Sequence, residues 1–385
     1  MASLTSDTKP LQSEGSLPER VNLFGMTLEE IQRLCGEEGF ARYVGKQICD
    51  WVYAKHVEQI DAMTNLSLAV RARLKEIAVV ERWQPVAEQV SNDGTRKYLF
   101  PVGDDRYVEA VYIPDDREGL SSRATLCVST QTGCRMGCRF CVTGQQGFRG
   151  GLSTAQILNQ IFSLPQFERL TNVVYMGMGE PLDNYEAVRA SLSVLTANWG
   201  LGWSPKRITV STVGVIPQLK ELIEQCRCHV AVSLHNAVAS ERAELMPIQQ
   251  RYALADVLSL LRQYEWDGQR RVSFEYIMFA GLNDDMFHAK VLVAALRGLT
   301  CRVNLIRFHV SPGMPYRTSN SARIEAFMNY LNAHGVVCTL RASRGEDIMA
   351  ACGLLAGKGV KRNVPTDGIR QSRDAEEKGR EPMYI

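Results

Sequence analysis

Residues 123–150, RATLCVSTQTGCRMGCRFCVTGQQGFRG, decide how the rest of the chain is read. Within them Cys134, Cys138 and Cys141 stand in C-x3-C-x2-C spacing, directly after a predicted strand over 124–130. Three thiolates this close in sequence can converge on one centre, and the run supplies no fourth. Four cysteines commonly complete a structural zinc site or an iron–sulfur cluster, so three point to a cluster with one iron left open to a ligand. A zinc knuckle missing its fourth ligand and three unrelated core thiols are the competing readings. On the preceding strand, Thr125, Cys127 and Ser129 share the smaller, more polar face by alternation. Cys127 thus sits beside the start of the cysteine run, although a core thiol explains it equally well.

From residue 123 onward the chain alternates strand and helix. Strands are predicted over 124–130, 172–178, 207–213, 229–234, 271–278, 302–308 and 336–340, and helices over 154–164, 185–198, 216–225, 254–264, 286–296 and 321–332. Repeated βα units predict an α/β fold with a parallel sheet, closed partway into a TIM-like barrel of about six units, with its chemistry at the C-terminal strand ends. Polar motifs collect at that rim: Gly177-Met178-Gly179-Glu180-Pro181, Ser211-Thr212-Val213-Gly214, Ser233-Leu234-His235-Asn236 and Arg307-Phe308-His309. None is specific alone, and an isolated His235 or His309 is more often a surface or satisfied histidine. Their common position is the signal. After the last strand, a loop over 346–364 carries Cys352 among Ala350, Ala351 and Gly353. Small side chains leave such a loop little to pin it, so it can move toward the pocket, although Cys352 alone reads as structural.

Working outward, residues 1–20 read as a disordered leader, 21–82 as a small helical domain and 83–122 as a β-hairpin with linker. In the helical domain Thr27 and Glu30 have capping-box spacing, and Tyr43, Ile48, Trp51 and Val52 are expected on a helix with basic neighbours, as a cap or an RNA contact. In the hairpin, Glu109 falls among apolar neighbours, where burial would raise its pKa as suits a general base. An exposed edge strand is the alternative. The tail over 365–385 reads as disordered. The 385 residues are 45% hydrophobic and 22% charged, with a net charge of +2, so composition neither demands nor excludes nucleic acid. Eleven cysteines and no secretory signal predict a reducing, cytoplasmic setting, and no apolar run predicts a membrane span. The other six cysteines (Cys35, Cys49, Cys226, Cys228, Cys301 and Cys338) read as core or incidental thiols.

The cysteine run, with Phe140 before its last member, resembles the signature of the radical S-adenosylmethionine (radical SAM) enzymes. VEAVYIP, ATLCVSTQTGCRMGCRFCVTGQQGF, YMGMGEPLDN, ITVSTVGV, AVSLHN, VNLIRFHVSPG and RGEDIMAACG together resemble the dual-specificity RNA methyltransferases of the RlmN type. The resemblance implies a radical SAM barrel over 123–345, a [4Fe–4S] cluster on Cys134, Cys138 and Cys141, and SAM contacts from Gly179, Glu180, Ser211, Ser233, Leu234, His235 and His309. His309 departs from the asparagine common in the family, and REGLSS before Arg123 is an insertion. The activity implied is methylation of adenine carbon 2 in 23S rRNA and beside the anticodon in tRNA, using two SAM per turnover. Cys352 would carry the methyl group, Cys127 would release the product by forming a disulfide with it, and Glu109 would be the base. Further implications are a flavodoxin-like electron donor, a monomeric state and no membrane partner. The carbon-8 methylating, antibiotic-resistance branch of the family is the alternative.

Overall fold

The computed structural model describes residues 20–357 apart from 104, 116–122, 267–270 and 311–312. The predicted leader up to residue 19, the REGLSS insertion, the part of the Cys352 loop from 358 and the tail over 365–385 lie outside the described residues. The N-terminal module holds β1 (Val21–Asn22), α1 (Leu28–Glu37), α2 (Arg42–Cys49), α3 (Leu68–Ile77) and β2 (Ala78–Val79). The Thr27 hydroxyl accepts the Glu30 N–H at 3.3 Å while the Glu30 carboxylate accepts the Thr27 N–H at 2.6 Å, forming the expected capping box. One feature departs from the expected all-helical module: β1 and β2 form a short parallel pair. On α2, Tyr43 is 67% exposed whereas Ile48 is buried, and Val52 beyond it is buried as well. Residues five apart are about 140° apart on a helix, so burying Ile48 turns Tyr43 to solvent.

Next come β3 (Ala87–Val90), β4 (Arg96–Pro101) and β5 (Tyr107–Asp115), then β6 (Arg123–Cys127), β7 (Gln131–Gly133), α4 (Val142–Gln145) and β8 (Phe148–Gly151). The repeating part follows: α5 (Thr154–Phe162), β9 (Asn172–Tyr175), α6 (Tyr185–Thr196), β10 (Ile208–Thr212), α7 (Ile216–Gln225), β11 (His229–Ser233), α8 (Ala239–Leu245), α9 (Leu254–Leu261), β12 (Val272–Met278), α10 (Met286–Leu296), β13 (Arg302–Arg307), α11 (Ser321–Ala333) and β14 (Val337–Leu340). Helices lie between successive parallel strands as the βα alternation predicts. α8 was not expected, because a seven-residue helix with four polar positions shows too little periodicity.

The main sheet runs β14-β13-β12-β11-β10-β9-β6-β5-β4-β3. β6 and β9 to β14 pair with one another in parallel, and among the described residues the ends of the sheet do not pair with each other, so the barrel is open. Leu126, Val173, Val210, Val232, Phe274 and Leu305 on these strands are fully buried, as expected for a sheet covered on both faces. The hairpin is not a separate unit. β5 pairs antiparallel with β6 and extends the barrel sheet through β4 to β3. β5 is consequently an inner strand with both faces covered, so Glu109 is buried along with its neighbours on either side. Among the described residues no helix is long and apolar enough to cross a membrane.

Candidate active site

The cysteine run emerges from β7 and returns through β8, which pair as a short ribbon. Gly133 makes this possible: its φ is +72°, and a Cβ there would lie 1.8 Å from the Gly147 carbonyl oxygen. The Cys134 N–H donates to that same oxygen at 3.0 Å, and the Arg139 N–H donates to Leu245 O at the end of α8, also at 3.0 Å. The loop is therefore tied at its base and along its side. Cys134, Cys138 and Cys141 line one cavity of about 140 Å³, together with Gly179, Glu180, Ser211, Ser233, His235 and Cys352.

All eleven cysteines are free thiols. Burial pushes Cys134 up to about 12, raises Cys138 well above the ordinary range and raises Cys141, so each needs a bound cation to stay ionised. Among the described residues no three His, Cys, Asp or Glu side chains converge on a single-ion position. Three thiols with no fourth cysteine in the run suit a polynuclear cluster with one open iron better than the four-ligand tetrahedron of structural zinc. The residues fit a [4Fe–4S] cluster.

The barrel strands deliver the remaining walls. After β9 the chain leaves the sheet at Tyr175, earlier than expected, because Gly177 and Gly179 approach neighbouring backbone too closely for a side chain. A Cβ on Gly179, whose φ is +98°, would meet Gln131 at 2.5 Å. Glu180 is buried and accepts the N–H groups of Leu182 at 3.1 Å and Val213 at 2.9 Å. Burial pushes its carboxyl up to about 7, against those hydrogen bonds. His235 has a positive φ of 55°, accepts the Ile277 N–H on Nδ1 at 3.1 Å and packs edge-on against Phe140 at 4.8 Å between centroids. Burial and the nearby Arg242 lower its pKa to about 3, so the imidazole is neutral with its proton on Nε2. Two expected contacts are not brought to this cavity. Leu234 is fully buried, with its N–H spent on Glu275 and its carbonyl on Arg242. His309 instead meets Ser343 Oγ at 3.1 Å and Glu346 at 3.6 Å, on the segment leading to Cys352.

A second cavity of about 680 Å³ lies between the hairpin strands and α4, lined by Gln89, Lys97, Glu109, Gln145, Gln146, Met314 and Ala356 among others. Glu109 is not the unpartnered carboxylate that alternation suggested. Lys97 Nζ stands 3.4 Å from one oxygen and the Ala356 N–H donates to the other at 2.7 Å. The Cys352 loop separates the cavities, with Cys352 and Leu355 on the smaller and Met349, Leu354 and Ala356 on the larger. It is latched by Val142 N–H to Gly353 O at 2.8 Å, Thr143 Oγ1 to Leu355 O at 2.6 Å and Gln146 Nε2 to Ala356 O at 2.9 Å.

Cys127 is buried behind this loop. Burial pushes its thiol up to about 12 and the neighbouring Cys352 adds to the rise, so the two sulfurs sense each other. Arg341 lies among them, 3.3 Å from Glu275. Burial works against its charge, but Glu275, Cys352 and Cys127 outweigh it and hold the guanidinium ionised. Sequence reasoning missed Lys97 and Arg341, whose partners are remote in sequence. In the sequence, Lys97 on β4 and Arg341 just after β14 read only as ordinary basic residues.

Residues 21–80 match the ribosomal RNA large subunit methyltransferase N-terminal domain, and 128–291 match the radical SAM superfamily. A probable dual-specificity RNA methyltransferase RlmN from Parabacteroides distasonis is 52% identical over 338 residues, 88% of this chain and 97% of that protein. The dual-specificity RNA methyltransferase RlmN of Syntrophus aciditrophicus is 40% identical over 349 residues, 90% of this chain and 99% of that one. The crystal structure of a radical SAM methyltransferase from Sphaerobacter thermophilus superposes with a TM-score of 0.79 at 37% identity, covering 88% of this chain and all of that one.

Proposed function

This chain belongs to the RlmN family of dual-specificity RNA methyltransferases, within the radical SAM class, and we propose that it methylates carbon 2 of one adenine in 23S rRNA and of the adenine beside the anticodon in tRNA. The observation that carries this reading is the position of Cys352. Its loop stands between a cavity walled by three cluster-type cysteines and a cavity lined by the Glu109 carboxylate, with Cys127 close behind.

In this reading Cys134, Cys138 and Cys141 hold the [4Fe–4S] cluster. The cluster with SAM supplies the radical chemistry needed at a carbon that offers no electron pair. Glu180 and the close-approaching backbone at Gly179 take the polar end of SAM, with Ser211, Ser233 and neutral His235 along its length. Leu234 supports these strand ends from the core, and His309 acts on the Cys352 segment. The small cavity is below the size of typical cofactor sites, so the latched loop has to lift as ligands enter. Cys352, as thiolate, accepts a methyl group by displacement and carries it as a thioether. Glu109, with Lys97 beside it, removes the carbon-2 proton of the RNA-bound intermediate. The Cys127 thiolate then attacks the Cys352 sulfur, the sulfur–carbon bond breaks, and its electron pair takes up a proton to complete the methyl group on the base, leaving a Cys127–Cys352 disulfide.

The adenine must be splayed from its stack to enter the larger cavity. Arg135, stacked 3.9 Å over exposed Phe148 at the rim, offers a platform for neighbouring bases. Acting on RNA as a monomer in the cytoplasm, the enzyme would draw electrons from a flavodoxin-like donor. The test is nucleoside mass spectrometry of rRNA and tRNA from a deletion strain complemented with wild type or Cys352→Ala. Wild type alone should restore 2-methyladenosine. Restoration of 8-methyladenosine instead would move the assignment to the carbon-8 branch, and restoration by the alanine variant would overturn the carrier role.

A further inference from the structure

Arg242 on α8 has no exposed surface and is among the largest fully buried side chains of the protein. Its guanidinium donates to Leu234 O at 3.1 Å, Ser233 O at 3.0 Å, Val213 O at 3.2 Å and Gln249 Oε1 at 2.6 Å. Every acceptor is neutral, and among the described residues no carboxylate forms an ion pair with it. Burial lowers its pKa to about 10, which still leaves it charged at neutral pH. An isolated buried charge is costly and persists where an opposite charge compensates it.

The surroundings show where that charge lies. The three carbonyls belong to the ends of β10 and β11, where Val213, Ser233 and His235 line the cysteine cavity. α8 touches the cysteine loop directly through Leu245 O and Arg139 N–H, and Met246, next in sequence, lines the same cavity. His235 is neutral and cannot compensate. Glu180 accepts the Val213 N–H while Arg242 donates to the Val213 carbonyl in the next peptide, and no ion pair joins the two side chains. The group left to answer Arg242 is the anionic assembly of three thiolates and their metal atoms.

We propose that Arg242 is the buried counter-charge of the cluster, favouring both its retention and its one-electron reduction. The inference rests on the cluster assignment above. Each electron accepted adds one negative charge to an already anionic centre, and a fixed positive charge nearby opposes that cost. For a charge about 10 Å from the added electron, at an effective dielectric constant of about 20, the reduction equilibrium changes by about tenfold. The carbonyl contacts make Arg242 a strut as well, so the test must separate charge from scaffolding.

Gln249→Glu does this. It keeps the guanidinium and its strut contacts, and it keeps acceptors for Arg242 Nη1 and for Leu254 N–H, now 3.0 Å from Gln249 Oε1, while adding a neutralising carboxylate. Wild type, Gln249→Glu, Arg242→Gln and Arg242→Lys full-length proteins are reconstituted anaerobically with iron and sulfide. Iron is counted, and cluster reduction by dithionite through mediator dyes is followed by electron paramagnetic resonance. Gln249→Glu and Arg242→Gln should show a reduced-to-oxidised ratio roughly tenfold lower at a given potential, a negative shift of about 59 mV. Arg242→Lys should stay nearer wild type. An unchanged potential in a folded, iron-replete Gln249→Glu protein overturns the proposal, even if Arg242→Gln fails to fold. A wild-type protein that retains no cluster overturns the underlying assignment and this inference with it.

Discussion

The two cavities flanking the Cys352 loop are built on different principles. The smaller is made from strand ends of the barrel, where backbone positions Gly179, Ser211, Ser233 and His235 within one sheet. The larger is made from an added antiparallel layer, a four-residue helix and the loop itself. A rigid wall suits a cofactor whose reacting atom must be held still, whereas an adaptable wall suits a large RNA that must deliver one base. The loop belongs to both, since Cys352 faces one cavity while the Ala356 N–H caps the Glu109 carboxylate in the other.

The largest expected effect breaks the rigid side alone. Cys138→Ala should remove cluster iron and lower methylation by more than about a thousandfold, as read by iron analysis and nucleoside mass spectrometry. Cys352→Ala should lower methylation as severely while iron content stays at the wild-type level. Equal iron loss in both variants would mean that the loop is part of the cluster site and not a separate carrier.

On the adaptable side, Glu109→Gln should slow turnover by about 10²- to 10⁴-fold, the range for loss of a general base. Lys97→Met should cost less, about tenfold, because the Ala356 N–H still supports the carboxylate. Both should leave SAM binding, measured by calorimetry, within about twofold. A smaller change sharpens the role of the latch. Thr143→Val removes the hydrogen bond to Leu355 O, worth about 1 kcal/mol. It should raise hydrogen exchange over 350–356 by about fivefold and leave the strand ends unchanged.

The smallest effect lies away from both cavities. His288 joins Glu241 at 2.8 Å and Asp285 at 2.7 Å, tying α8 to the start of α10. Burial opposes its charge, but the two carboxylates prevail and raise its pKa above the ordinary 6.5. Its stabilising contribution is therefore complete below the unfolded pKa and is lost as pH rises through the folded value. Denaturation midpoints from pH 6 to 9 should fall in wild type more than in His288→Gln. An equal fall in both would remove His288 from that account.

Much of this was legible in the sequence because it is local. The spacing of Cys134, Cys138 and Cys141, the Thr27–Glu30 cap and the alternation of β9 to β14 with α6, α7 and α9 to α11 are patterns within a few residues. β3 was missed because Ala87–Val90 is largely exposed and half polar, so its pairing with β4 leaves no hydrophobic signature.

The sequence by itself determined the barrel, the three-cysteine loop and, through resemblance, the identity of the chemistry. Each rests on short-range spacing or on motifs kept whole along the chain. Only the tertiary structure decided that the hairpin joins the barrel sheet, that Lys97 partners Glu109, that Arg341 stands beside Cys127 and Cys352, and that Arg242 is buried without a carboxylate. These are facts about charge in low dielectric, where the cost of a group depends on what surrounds it in space. Sequence shows Arg242 as one basic residue in a polar helical segment. Folding turns that face inward and makes its charge a property of the site.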